Sequence, residues 1–224
     1  MNDKQQLHAY RFSMDTKPVK AITALHDALR EFGKAFSLKT ASKMKFSKDK
    51  NTAFIVLLNE GCCSVNHADN DQYIVTFFAP TVLGLVDGYG LYYDVPARPQ
   101  HYIQAETNCS GWVVPLDIFV EKCDELSLWH DVSRFLAQRL MVMSAREYEL
   151  VGNDAYGKIR ALLQEIWLYP EEFRSKLLVA AFIQRRAKLS RSRVMNILSA
   201  LKQGGYIEIN AGVLTSMKKL PLSF

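Results

Sequence analysis

Arg191, Ser192, Arg193, Asn196, Ser199 and Lys202 stand close together near the C-terminal end of the chain. Their types suit flat, hydrogen-bonding partners. An arginine fork matches the O6 and N7 acceptors of guanine, and an asparagine amide matches the N6–N7 edge of adenine. Whether they can act together depends on how the backbone sorts them. At about 100° per residue, Val194, Ile197, Leu198 and Leu201 fall on one helical face. Ser192, Asn196, Ser199 and Gln203 fall on the opposite face, with Arg191, Arg193 and Met195 on the flanks. Ser190 can accept a first-turn N–H and start the helix, and Gly204-Gly205 can end it. The spacing therefore predicts a helix over 190–203 with its short polar side chains turned outward.

The neighbouring segments complete a recognisable unit. "YIEINAGVLTSMKKLP" reads as a two-stranded hairpin turning at Asn210-Ala211-Gly212. A helix over about 176–186 precedes the first, with a short turn between them. That order is a winged helix-turn-helix, whose second helix enters the major groove of DNA. Arg185, Arg186 and Lys188 are placed for phosphates. Ser190, Arg191, Ser192, Arg193, Asn196, Ser199 and Lys202 complete the DNA-facing set. Arg191 and Asn196 are the base readers, and Arg193 fits either role.

Charge distribution agrees. Of 28 Lys/Arg in the chain, ten lie between Arg174 and Phe224, against one acid, Glu208, so that segment carries +9. Residues 1–173 keep eighteen bases and twenty-two acids, a net −4. A basic quarter on an acidic body suits an anionic partner, of which nucleic acid is the commonest. A solvated basic surface would give the same count, so the helical sorting is what favours DNA.

Other chemistry is weaker. Cys62 and Cys63 are adjacent; they read as a redox-active thiol pair or as small buried apolar residues, the usual state of free cysteine. His67 and His101 lie among strand-like runs without the third ligand a metal site needs. No P-loop, Rossmann glycine pattern or Gly-x-Ser-x-Gly is present. "MNDKQQLHAYRF" lacks the apolar core of a secretory signal, and no apolar run approaches the ~20 residues of a membrane span. A cytoplasmic protein that is no enzyme and contacts no membrane is the expectation.

The elements that would position the DNA-facing set follow from periodicity. "PVKAITALHDALREFGKAF" reads as an amphipathic helix through Val19, Ile22, Leu25, Leu29, Phe32 and Phe36, followed by a basic linker. "TAFIVLLNEG", "DQYIVTFFAP", "GLYYDVP", "HYIQAET" and "GWVVPLDIF" read as strands of an antiparallel β-roll or sandwich. Six aromatics from Phe77 to Tyr102 suit its core better than a ligand cavity. "SLWHDVSRFLAQRLMVMSAREYELV" reads as a helix of ~40 Å, striped by Leu128, Val132, Phe135, Leu136, Leu140 and Met143. A partner helix in a symmetric dimer, or the β-roll itself, would cover that stripe.

With "LSRSRVMNILSALKQGGYIEI" at 189–209, the long helix and the β-roll before it, the chain from about residue 46 onward resembles the CRP/FNR superfamily of bacterial transcription regulators. Within it, the likeness is to the enterobacterial inhibitor-of-hydrogen-peroxide-resistance (IprA-type) branch. The resemblance implies an α+β chain. Residues 1–45 would form an N-terminal helix and basic linker, and 46–125 a cyclic-nucleotide-binding-like β-roll. Residues 126–153 would be a long central dimerisation helix, and 154–224 the winged helix-turn-helix. It implies a homodimer on double-stranded DNA, RNA polymerase as a further partner, and an effect on oxidative-stress genes.

Two family cofactors are not expected. Cyclic-nucleotide-binding members hold phosphate with a Gly-Glu pair and a later Arg-Ser. Here Gly84 matches, but Leu85 stands at the glutamate position and Pro99-Gln100 at the later pair. A buried phosphate without its arginine is an uncompensated charge, so cyclic AMP binding in the usual way is not expected. No cysteine precedes Cys62, so the family's N-terminal iron–sulfur cluster is not expected either. The base-reading Arg-Glu…Arg of the family becomes Arg191, Ser192 and Asn196, which implies a different target sequence. A regulator acting mainly through protein contacts and a β-roll metalloenzyme with a basic tail are the rival readings.

Overall fold

The computed structural model describes residues 8–95 and 98–223. The first seven residues, part of the "MNDKQQLHAYRF" stretch that lacks a signal core, and Pro96 of "GLYYDVP" lie outside the described residues. In chain order the elements are α1 (Ala9–Asp15), α2 (Val19–Leu29), β1 (Lys34–Leu38), β2 (Lys43–Lys45), β3 (Phe54–Glu60), β4 (Cys62–His67), β5 (Tyr73–Phe78), β6 (Thr81–Leu83), α3 (Leu85–Tyr92), β7 (His101–Ala105), β8 (Cys109–Pro115), α4 (Leu116–Glu125), α5 (Trp129–Leu150), α6 (Ala155–Leu168), α7 (Glu171–Arg174), α8 (Val179–Ala187), α9 (Arg191–Gln203), β9 (Ile207–Asn210) and β10 (Val213–Met217). They form two compact units, Pro18–Leu136 and a discontinuous one of Met1–Lys17 with Ala137–Phe224. The boundary falls inside α5.

The unit 18–136 holds two four-stranded antiparallel sheets, ordered β1-β8-β3-β6 and β2-β7-β4-β5. In β3, Ile55, Val56, Leu57 and Leu58 are all buried. Val56 and Leu58 pack with Cys63, Ile103 and Ala105 of the other sheet. Ile55 and Leu57 pack with Ile22, Leu25 and Leu29 of α2, Phe119 of α4, and Val132 and Phe135 of α5. A strand covered on both faces reads as an unbroken apolar run rather than an alternating one. Each of the three α2 side chains, removed wholly from water, contributes about 1.5–3 kcal/mol.

Three expectations are corrected in this unit. The helix drawn from Val19 to Phe36 stops at Leu29, with one 3-10 turn to Phe32, and the linker expected up to residue 45 contains two strands. Phe36 lies on β1, opposite Gly111, and packs with Leu38 against the inter-sheet core. Its spacing from Phe32 imitates a helix, but Gly33 breaks the chain and Phe36-Ser37-Leu38 alternates as a strand does. Gly90-Leu91-Tyr92, read as strand, ends α3. "PLDIF" opens α4 instead of continuing β8. Across the unit boundary the stripe of the long helix changes, which corrects nothing: Leu128, Val132 and Phe135 are buried, and Leu140 and Met143, on the outer part that needs another surface to cover it, are exposed.

In the discontinuous unit, α6, α8 and α9 pack on one another, and the β9–β10 hairpin closes the layer. The N-terminal helix α1 is part of this unit. Glu149 on α5 accepts the Ala9 N–H at 2.8 Å, and His8 Nε2 donates to the Ala161 carbonyl of α6 at 3.3 Å. Tyr10 meets Tyr169 edge to face, centroids 4.8 Å apart. Gln138 donates to the Ser13 carbonyl at 3.1 Å.

Burial holds the Glu149 carboxyl at a pKa of about 7. The native state thus binds its proton more tightly than the unfolded chain does. That contribution is full below the ordinary glutamate value and is lost as pH rises to about 7. His8, lowered by burial, acts in the opposite sense. In Glu149→Gln, which keeps His8 and an acceptor for Ala9, the loss of stability between pH 4.5 and 7.5 should shrink by about 2–3 kcal/mol, read from urea unfolding at both pH values. An unchanged pH profile would refute the assignment.

Candidate nucleic-acid interface

α8 ends at Ala187, and Lys188 takes the left-handed conformation (φ 52°) that turns the chain toward α9. Ser190 Oγ then accepts the Arg193 N–H at 3.2 Å, capping α9. Val194, Ile197, Leu198 and Leu201 are buried, while Arg191, Ser192, Arg193, Asn196, Ser199, Lys202 and Gln203 are exposed. Gly205 (φ 68°) follows the helix end, where the Gly204 N–H donates to the Ala200 carbonyl.

The hairpin is fastened to the same unit. Asn210 pairs with Val213, leaving Ala211 (φ 49°) and Gly212 (φ 85°) as a two-residue turn. Two successive positive φ angles make the primed turn that matches strand twist. The Val179 N–H, first of α8, donates to the Gly212 carbonyl at 2.9 Å. A Cβ at Gly212 would come within 2.9 Å of Leu178 Cδ2, a second reason for glycine there.

One of the expected phosphate contacts is corrected. Arg185 and Lys188 are exposed, but the Arg186 side chain is 1% exposed and its Nη1 donates to Glu165 Oε1 at 3.2 Å. The same oxygen accepts the Tyr169 hydroxyl at 2.6 Å and Arg146 Nη2 at 3.5 Å. Burial pushes the Glu165 pKa up, but Arg186 and Arg146 beside it prevail and hold it below the ordinary value. A guanidinium so enclosed cannot reach a phosphate. The sequence carries the signal: Arg186 continues the row of Val179, Phe182 and Ile183, and Glu165 lies three residues after Leu162 on the apolar stripe of α6. A base and an acid on facing apolar stripes are a buried pair.

The other sequence candidates lie in the unit 18–136. Cys62 and Cys63 open β4 and are buried. Burial pushes the Cys62 thiol pKa up, and Cys63, Glu106 and Cys109 add to the rise. Gly84 (φ 90°) begins α3, and Leu85 is buried. α3 is tied to β7 by Asp87, whose carboxylate accepts the His101 N–H at 3.0 Å and meets His101 Nδ1 at 2.9 Å. The His67 ring lies 5.1 Å from that of His101. Arg98, which no sequence motif marks, lies against Gly90 of α3, and its buried Nε has no hydrogen-bond partner among the described residues.

Residues 155–222 match the winged helix-turn-helix DNA-binding family. Among solved structures, a putative CRP/FNR-family transcriptional regulator from Eubacterium rectale superposes with a TM-score of 0.67 at 14% identity, over 88% of this chain and 90% of that one. The c-di-GMP-responsive global regulator CLP of Xanthomonas campestris gives 0.66 at 14% identity, over 88% and 100%. Fold and site together define a winged helix-turn-helix DNA-binding domain in a chain of CRP/FNR fold. The sequence is 31% identical to the inhibitor of hydrogen peroxide resistance of Escherichia coli (strain K12), over 93% of this chain and 98% of that protein. The Salmonella typhimurium (strain LT2) protein of the same name is 29% identical over the same shares. The chain belongs to the family of the inhibitor of hydrogen peroxide resistance.

Arg186→Ala should cost about 3–5 kcal/mol, because it leaves Glu165 buried with half its compensation. Arg185→Ala, at the surface, should stay within about 0.5 kcal/mol of the parent. Urea unfolding of both variants reads the difference, and equal small effects would sink the buried-pair account.

Proposed function

We propose that this protein regulates transcription as a homodimer, by placing two copies of α9 in successive major grooves of a near-palindromic site, about 34 Å apart. The division of α9 carries the reading: every buried side chain on it is aliphatic, and Arg191, Ser192, Asn196 and Ser199 are exposed. Arg191 and Asn196 read bases. Ser190, through its cap, sets the helix start. Arg185, Lys188 and Lys202 take phosphates, and Arg193 serves either purpose. The exposed Leu140, Met141, Met143, Tyr148 and Val151 of the long helix and its end supply the dimer seam. RNA polymerase is a further partner. No described helix is long and apolar enough to cross a membrane.

The regulated genes serve hydrogen peroxide defence. The names of the E. coli and Salmonella relatives support this. The signal does not run through Cys62: a buried thiol with a raised pKa is a poor nucleophile toward peroxide. Nor is an iron–sulfur cluster involved.

A gel-shift series tests DNA contact. Affinity should fall steeply as salt rises from 50 to 200 mM, and Arg185→Ala or Lys188→Ala should each reduce the log–log slope by about one. Sites mapped in cells should lie upstream of peroxide-defence genes. Salt-indifferent binding, or sites scattered without regard to such genes, would overturn the respective half of the reading.

The roll does not take cyclic AMP in the usual way, since Leu85 offers no carboxylate and Pro99-Gln100 no guanidinium. Calorimetry should register no tight binding. Tight binding that disappears in Arg98→Ala would reverse this, with Arg98 as the phosphate holder.

A further inference from the structure

α9 buries all of its large apolar side chains but one. Met195 is 46% exposed, whereas Val194, Ile197, Leu198 and Leu201 are each at 8% or below. A lone exposed apolar residue is ordinary on a protein surface. Its position here is not. Met195 lies four residues after Arg191 and four before Ser199, so the three make one continuous ridge, each about 40° round and 6 Å along from the last. Arg191 and Ser199 belong to the set that faces the groove. The ridge thus presents a polar, an apolar and a polar head in succession.

The base edges of the major groove offer one apolar group, the C5 methyl of thymine. An unbranched thioether is suited to it, because its rotatable bonds let it settle on a methyl whose position varies with local DNA geometry. We propose that Met195 is a specificity-determining residue that reads a thymine methyl. This inference rests on the DNA-reading role of α9 proposed above. The rise from Arg191 to Met195, about 6 Å, spans roughly two base steps of 3.4 Å. The thymine therefore lies within two base pairs of the guanine taken by Arg191.

The experiment uses the full chain. Preferred duplexes are first selected from random sequence, and affinity is then measured with each thymine replaced in turn by deoxyuridine, which lacks only the methyl. One replacement, within two base pairs of the guanine whose contact Arg191→Ala abolishes, should weaken binding about fourfold, the value of one buried methyl-sized group. Met195→Ala should bind the thymine and deoxyuridine duplexes equally, and Met195→Leu should restore the discrimination. Circular dichroism checks that both variants fold. Indifference of the parent protein to every replacement, or the same fourfold loss in Met195→Ala, overturns the inference while leaving DNA reading intact. Failure to enrich any sequence defeats the DNA-reading role itself, and the inference with it.

Discussion

A single carboxylate fixes where the recognition helix stands. Glu165 is buried, and an ionised group in that setting costs several kcal/mol unless charge and hydrogen bonds surround it. Arg146 of α5, Arg186 of α8 and the Tyr169 hydroxyl do so from three directions. Aliphatic packing alone would tolerate small slips and rotations of α8. A guanidinium held to one oxygen does not, because leaving it strands a charge on each side. α9 packs on α8 and α6, so the outward aim of Arg191 and Asn196 traces back to that oxygen.

The same network qualifies what the charge distribution means. Ten bases in the C-terminal segment are not ten phosphate contacts. Arg186 is consumed by Glu165, and Arg174 lies 4.4 Å over the Trp167 ring with Nη1 on the Trp167 carbonyl at 2.9 Å. Net charge draws DNA toward this end of the chain, but the usable cations are those left over after the fold has taken its own.

The winged unit was legible because its signals are local. A capping serine, a 3.6-residue apolar stripe, a glycine stop and a two-residue turn each act within a few residues. What escaped depends on distant chain. β1 is a strand because β8, more than seventy residues later, offers it an edge; the local pattern around Phe32 and Phe36 is equally good helix. Leu140 and Met143 continue the stripe of Val132 and Phe135 in sequence, but beyond the unit boundary α5 buries other residues, Val142, Ala145, Arg146 and Glu149. Arg186 looks like its neighbour Arg185 until α6 is set beside it. The two lie about 100° apart on one helix, enough to send one inward and the other to solvent.

The placement of α1 has a consequence for how the chain is made. Ala9 and Glu149 are 140 residues apart. At about 5–20 residues per second of synthesis, the N-terminal helix leaves the ribosome roughly 7–28 seconds before its carboxylate partner does. The intervening residues, 18–136, contain a complete unit of their own and can fold in that interval. α1 must wait, with the buried faces of Ala9 and Tyr10 uncovered, until α5 and α6 are finished. Assembly of the discontinuous unit thus reaches back along the chain to recruit a helix translated well before its partners.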